Sequence, residues 1–201
     1  IQKYKPQFTI LSSVVDHQPI VEDVLAAHTH FHKLSHTTKL PFTTPVGKPE
    51  TIGADRLALC AAAVYLFPNK NNLAIGLGTC ITYNFINNQN QFLGGGISPG
   101  LNMKFKALHT FTKRLPLVER TENEYQLTGQ TTQESILSGV LAGTVAELNG
   151  FIQAYSEKSK DLTVILCGGD AGFFESKLKG RIFVIPELVL IGLHRILKHN
   201  V

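Results

Sequence analysis

Residues 73–100, LAIGLGTCITYNFINNQNQFLGGGISPG, constrain the fold of this chain more than any other stretch. Residues 73–77 and 81–86 are apolar and β-branched, which predicts two strands, and Gly78-Thr79 between them predicts a tight turn. A third strand is expected over 91–94 after the polar loop 87–90, and it runs into the cluster Gly94-Gly95-Gly96. A turn of Gly and Thr leaves backbone N–H groups and a hydroxyl pointing outward, with no side chain to hold a phosphate away. The same turn is compatible with an ordinary antiparallel hairpin, where Gly-rich turns are common.

Before this stretch, residues 8–15 (FTILSSVV) read as a buried strand, and 19–27 as a helix with Ile20, Val21, Val24 and Leu25 on one face. One strand and one helix cannot close a domain, so strands preceding Ile1 are expected to be missing from the chain. His28, His30 and His32 alternate, which on a strand puts three rings on one side. With no carboxylate or cysteine beside them, solvated surface is the better reading than a metal site. Residues 37–51, with Pro41, Pro45 and Pro49, form an extended run that excludes helix. It delivers the chain to Gly53-Ala54-Asp55-Arg56, ahead of an Ala- and Leu-rich helix over 57–67. An acid in the first helical turn is favoured by the macrodipole whatever its function. Asp55 is therefore either a helix-stabilising surface acid or a working carboxylate, and Arg56 a solvated charge or a ligand group.

Beyond the glycine cluster a helix is expected over 101–115, with Leu101, Phe105, Leu108 and Phe111 at helical spacing. Lys104, Lys106, Lys113 and Arg114 lie mostly off that stripe, as a solvated face or an anion site. Thr131 and Glu134 fit a capping box that starts a helix running to about residue 155, which leaves Thr132 free for another role. On that helix Gly139, Ala142, Gly143 and Ala146 suit close packing against a second helix, within the chain or across a dimer. A strand over 162–167 ends in Gly168-Gly169-Asp170, ahead of a helix at about residue 171. Strand, glycine pair and helix together form a geometry that receives nucleotides, although many α/β junctions use glycine in this way. A last strand over 181–185 and a closing helix over 187–200 complete the chain.

A hydrophobic content of 43% over 201 residues supports a substantial core, as one large domain or two small ones. No apolar run approaches the length of a membrane span, and no signal peptide is recognised. Cys60, Cys80 and Cys167 lack paired-ligand spacing, which favours a reducing cytoplasm over a disulfide framework or a zinc site. A formal charge of +4 favours anionic partners. The basic residues neither interleave with aromatics nor form a nucleic-acid motif, so small anions are the better expectation.

The ordered set GADR, LGTCIT, GGGISPG, GQTT and CGGDA resembles the type III pantothenate kinases of the actin-like kinase superfamily, relatives of the Bvg accessory factor proteins. The resemblance runs from about residue 11 to the end. It implies an α/β fold, two ribonuclease H-like halves facing each other across a cleft, with a truncated first half over 1–71 and a second half over 72–201. It also implies ATP-dependent phosphorylation of the primary hydroxyl of pantothenate, the first step of coenzyme A synthesis, in a cytoplasmic homodimer that binds neither nucleic acid nor membrane.

By the same resemblance Asp55 is the general base, and Gly53, Ala54 and Arg56 belong to the pantothenate segment. Thr132 closes over pantothenate across the dimer interface. Thr79 and Gly78 contact the nucleotide, and Gly95, Gly96, Gly168 and Gly169 shape the ATP site. ATP, Mg²⁺ and a monovalent cation, K⁺ or NH₄⁺, are the implied cofactors. Four departures accompany these expectations. The N-terminal D-x-G-N-T turn has no counterpart, Gly76 replaces the cation-binding Asp, Asn84 stands where Asp is usual, and Val46 replaces a Tyr. A glycine cannot supply a carboxylate ligand, so cation binding at that point should be weak or lost. An alternative from another class is a catalytically impaired or non-catalytic regulatory protein of the same fold.

Overall fold

The structure is a computed structural model that describes residues 1, 3–13, 18–45, 47, 49–120 and 125–201. Its residues form two compact units, one of Ile1–Asn72, Asn84–Gly94 and Glu187–Val201, the other of Leu73–Tyr83 and Gly95–Pro186.

In the first unit β1 (Phe8–Leu11) and β2 (His30–Lys33) pair in parallel, with Phe8 opposite His30 and Leu11 opposite Lys33. A parallel pair needs a crossover, and α1 (Ile20–His28) supplies it. The strand expected over 8–15 ends at Leu11, and Val14 and Val15 lie outside the described residues, as does Val46. The apolar face expected on α1 is present but uncovered, with Ile20, Val21 and Val24 exposed. The histidine row is corrected. His28 is the last residue of α1, its Nδ1 bonded to the Val24 carbonyl at 2.9 Å, so only His30 and His32 alternate on a strand. Among the described residues no group of three or more His, Cys, Asp or Glu could hold a metal ion.

The described residues of the run over 37–51 hold a turn, several bends and one bridge, from Thr43 to Gln91, before a short 3₁₀ turn at Pro49–Thr51. That turn departs from the expectation of no helix, because Pro at a first helical position forgoes no hydrogen bond. Next come α2 (Ala54–Leu66) and, at the far end of the chain, α6 (Leu188–Asn200). Leu57 to Ala63 on α2 are all buried. The two helices approach so closely that a Cβ at Gly192 would fall 1.8 Å from the Ala58 carbonyl oxygen. Nothing larger than glycine fits there, and this contact seats the helix that carries Asp55.

The second unit holds most of a five-stranded sheet of order β5-β4-β3-β6-β7, from β3 (Asn71–Leu77), β4 (Cys80–Ile86), β5 (Phe92–Pro99), β6 (Leu162–Cys167) and β7 (Ile182–Val184). Strands β6 and β7 are parallel, with Val164 opposite Ile182. Leu73, Ile75, Leu77, Ile81, Tyr83 and Ile165 are fully buried. Each such side chain contributes about 1.5–3 kcal/mol to folding, which fixes strand register firmly.

One expectation fails here in an informative way. The third strand does not stop at Gly94 but continues through the glycine cluster to Pro99. As an edge strand β5 tolerates Pro99 at its end, because an edge position can forgo a ladder N–H. Helix α3 (Leu101–Thr110) ends before residue 115. Helix α4 (Thr132–Lys158) carries the expected capping box: Thr131 Oγ1 accepts the Glu134 N–H at 3.2 Å, and Glu134 Oε2 accepts the Thr131 N–H at 3.1 Å. By length and composition α4 could cross a membrane, contrary to the expectation that no run approaches such a length. Its inward residues Val140, Leu141, Leu148 and Ile152 are buried within this unit, and a core helix has the same apolar character. Helix α5 (Ala171–Glu175) follows β6.

Candidate active site

The expected substrate segment sits at the start of α2 in the first unit. Gly53 is the N-cap, and Ala54 and Asp55 open the first turn, both half-buried. The Asp55 carboxylate folds back over Gly53, so that a Cβ there would lie 2.6 Å from Oδ1. Among the described residues this carboxylate has no hydrogen-bond or ion-pair partner. The carboxylate lies in the first turn of α2, at the positive end of the helix dipole.

Arg56 is held rather than solvated. Its Nε donates to Asn84 Oδ1 at 2.7 Å, and its guanidinium lies 5.5 Å from the centre of the Phe92 ring. The amide at Asn84, one of the four departures, therefore has a structural partner. One turn further on, burial pushes the Cys60 thiol far above its ordinary range, against a smaller opposing effect of Arg56, so Cys60 is no nucleophile.

The expected nucleotide residues lie in the second unit. Gly78 and Thr79 are exposed, and a Cβ on Gly78 would meet nothing within 4 Å. The Gly78 N–H donates to the Cys80 carbonyl at 3.2 Å, which closes the turn. Two segments press on this turn from behind. Gly168 has φ +96°, and a Cβ on it would fall 2.3 Å from the Leu77 carbonyl oxygen, to which the Asp170 N–H donates at 3.3 Å. The Gly100 N–H donates to the Thr79 carbonyl at 3.1 Å, and a Cβ on Gly100 would fall 2.1 Å from the Gly78 oxygen.

Gly78, Thr79, Gly168 and Gly169 thus belong to one cluster, with Gly169 open to solvent. Gly95 and Gly96 belong instead to β5, where Gly96 lies against the rings of Tyr83 and Phe151. Sequence reasoning named no role for Gly100 as an individual residue, although a Pro-Gly pair ahead of an apolar helical stripe marks a tight entry. Thr132, the first residue of α4, is exposed on the wall of a groove of about 780 Å³, with Leu108, Phe111, Ile136 and Gly139.

A second opening, of about 440 Å³, is lined by Asn102, Lys106, Arg120 and Asp170 beside the 168–170 segment. Arg120 Nη1 donates to Asp170 Oδ1 at 2.9 Å and also lies over the Phe173 ring. Gly76 sits within β3 and offers no oxygen side chain where the resemblance calls for a cation ligand.

The largest omission of the sequence reading is a polar cluster on α4. Glu147 Oε1 accepts from the Tyr83 hydroxyl at 2.8 Å and from the Ser98 hydroxyl, and Oε2 accepts from Lys104 Nζ at 2.6 Å. Burial alone would raise the Glu147 carboxyl, but the bonds from Lys104, Ser98 and Tyr83 outweigh it and hold the group below its ordinary value. Burial, reinforced by Glu147, pushes the Tyr83 phenol far up, so it stays a neutral donor. Lys104 is thereby removed from the solvated face, and an acid three residues after Thr144 on a small-residue helix face was the available clue.

The sequence model of the type III pantothenate kinases matches residues 2–154. A type III pantothenate kinase of Cytophaga hutchinsonii is 48% identical over 201 residues, covering 100% of this chain and 84% of that protein. Another, from Christiangramia forsetii, is 44% identical over 192 residues, covering 96% of this chain and 79% of its own length. A crystal structure from Campylobacter jejuni, described as a Baf family transcriptional activator, superposes with a TM-score of 0.64 at 21% identity, covering 98% of this chain and 85% of that one. That likeness is one of fold. Motif order, α/β architecture and identity along the whole length agree, and the chain belongs to the type III pantothenate kinase family.

Proposed function

We propose that the protein transfers the γ-phosphoryl group of ATP to the primary hydroxyl of pantothenate, with Asp55 as general base. The hydroxyl oxygen forms the new bond to phosphorus, the bond from phosphorus to ADP breaks, and Asp55 takes the hydroxyl proton. The observation that carries this reading is the half-buried Asp55 carboxylate at a helix N-terminus, with no side-chain partner among the described residues. A positioned carboxylate of this kind contributes roughly 10²- to 10⁴-fold. Arg56, held by Asn84, is suited to the carboxylate or amide oxygens of pantothenate.

The exposed Gly78-Thr79 turn and the open Gly168-Gly169 pair are the residues suited to ATP, which supplies the phosphoryl group. Their backbone N–H groups and the Thr79 hydroxyl complement phosphate charge, and positioning provides most of the remaining acceleration. Gly95 and Gly96 shape the same site indirectly, through the strand that leads to Gly100. Magnesium is read as accompanying the ATP phosphates. The residues at Gly76 do not fit a monovalent cation held by a carboxylate, and no step is assigned to one.

The halves over 1–71 and 72–201 and a homodimer complete the proposal. Gly139 and Gly143 face open space, and the groove beside them carries Phe111 at 86% exposure, which supports a second copy as the partner. Thr132 lines that groove and would close over pantothenate from there. Cysteines without paired spacing, at 60, 80 and 167, support a cytoplasmic setting.

The test is a coupled measurement of ADP release by the full-length protein with ATP, with and without pantothenate, and the mass of the product. Pantothenate-dependent ADP release with a phosphorylated product is expected. ADP release indifferent to pantothenate, or none at all, would overturn the proposal.

A further inference from the structure

A half-buried carboxylate on the inner helix of the second unit is hard to account for by stability alone. Taking it out of water is costly, and an apolar residue of similar size commonly serves a core as well or better. Glu147 nevertheless sits on α4 with every described contact polar and well formed: Tyr83 from β4, Ser98 from β5 and Lys104 from α3. Further contacts brace the cluster. Lys104 Nζ also donates to Thr144 Oγ1 at 3.0 Å, and the Thr144 hydroxyl donates to the Val140 carbonyl at 2.7 Å. The Tyr83 ring stacks on Phe151, one turn beyond Glu147, at 3.8 Å between centroids and 11° between planes.

Two of the three donors bracket a single junction. Ser98 is the second-last residue of β5 and Lys104 lies in the first turn of α3, so the Glu147 carboxylate ties together the two sides of Pro99-Gly100. Gly100 is the residue whose N–H bonds the Thr79 carbonyl and whose missing side chain lets it touch Gly78. A contact with that little clearance transmits any shift of the junction directly to the turn.

We propose that Glu147 is a positioning residue for phosphoryl transfer: by holding Ser98 and Lys104 it fixes Gly100 against the Gly78-Thr79 turn, and so sets where the turn meets the nucleotide. The inference rests on the reading of that turn as the nucleotide contact. It assigns Lys104 to the Glu147 carboxylate rather than to a bound anion.

The experiment is steady-state kinetics on the full-length enzyme with Glu147→Gln, Ser98→Ala, Thr79→Ala and the double variant Thr79→Ala/Glu147→Gln, alongside thermal unfolding. Glu147→Gln and Ser98→Ala are expected to raise KM for ATP roughly tenfold, as small misplacements do. KM for pantothenate should change less than about twofold, since ground-state binding of the alcohol is untouched. The double variant should be little worse for ATP than Thr79→Ala alone, because both changes act through one contact. Should Glu147→Gln fail to fold, Ser98→Ala removes one arm only and carries the same split.

Unchanged KM for ATP in Glu147→Gln and Ser98→Ala, equal rises in both KM values, or effects that add in full in the double variant would each overturn the inference. If Thr79→Ala alone leaves KM for ATP unchanged, the reading of the turn itself is wrong and this inference falls with it. If Thr79→Ala raises KM for ATP while Glu147→Gln does not, only the role of Glu147 is lost.

Discussion

At Gly53 and Asp55 the spacing of residues and the placement of atoms carry different information. An acid two residues ahead of a buried apolar run locates a helix start, and α2 begins at Ala54 accordingly. The rest of Asp55 on the open face of Gly53 depends on a side-chain rotamer, to which a linear pattern is blind. It has a consequence. Gly53→Ala puts a methyl group 2.6 Å from Oδ1, and the flexible carboxylate must swing away while the helix stays formed. Turnover is expected to fall about tenfold through misplacement of the base, with the melting temperature nearly unchanged. Stopped assays and calorimetry on that variant check both halves of the statement. Arg56 was open to two readings for a similar reason, since its partner Asn84 stands 28 residues further along the chain.

Among the elements, α4 shows most clearly what local chemistry decides. Thr131 and Glu134 stop the helix N-terminus from fraying by a reciprocal pair of bonds, a short-range pattern visible in the sequence and present in the fold. Thr132, its neighbour, makes no capping contact and faces a groove. The two threonines should therefore part company on mutation. Thr131→Ala is expected to lower stability by about 1 kcal/mol with KM for pantothenate unchanged. Thr132→Ala should leave stability within about 0.5 kcal/mol while raising that KM, as an exposed substitution at a binding surface does. Chemical denaturation and pantothenate titration separate them. Strand β5 was legible only to Gly94, because glycine has low strand propensity and the pattern gives no hint that sheet pairing outweighs it. The cluster on Glu147 was missed for the complementary reason: Glu147 lies 43 to 64 residues beyond its three donors, and each residue alone reads as surface.

For the whole molecule, the family, the α/β class and the order of motifs were available from the chain alone, since five spaced signatures constrain one another more than any single glycine turn does. The apolar length of α4 and the uncovered face on α1 belong to this scale too, because only a complete list of neighbours distinguishes core from surface. Phosphoryl transfer needs an alcohol, a base and a phosphate cradle at once, so it is a property of the whole enzyme. The most direct measurement is single-turnover formation of phosphorylated pantothenate by the full-length protein and by Asp55→Asn, with pantothenate binding followed by calorimetry. A loss of at least about 10²-fold in rate with binding retained is the predicted result. Turnover by Asp55→Asn at the unmodified rate would contradict the account at its centre.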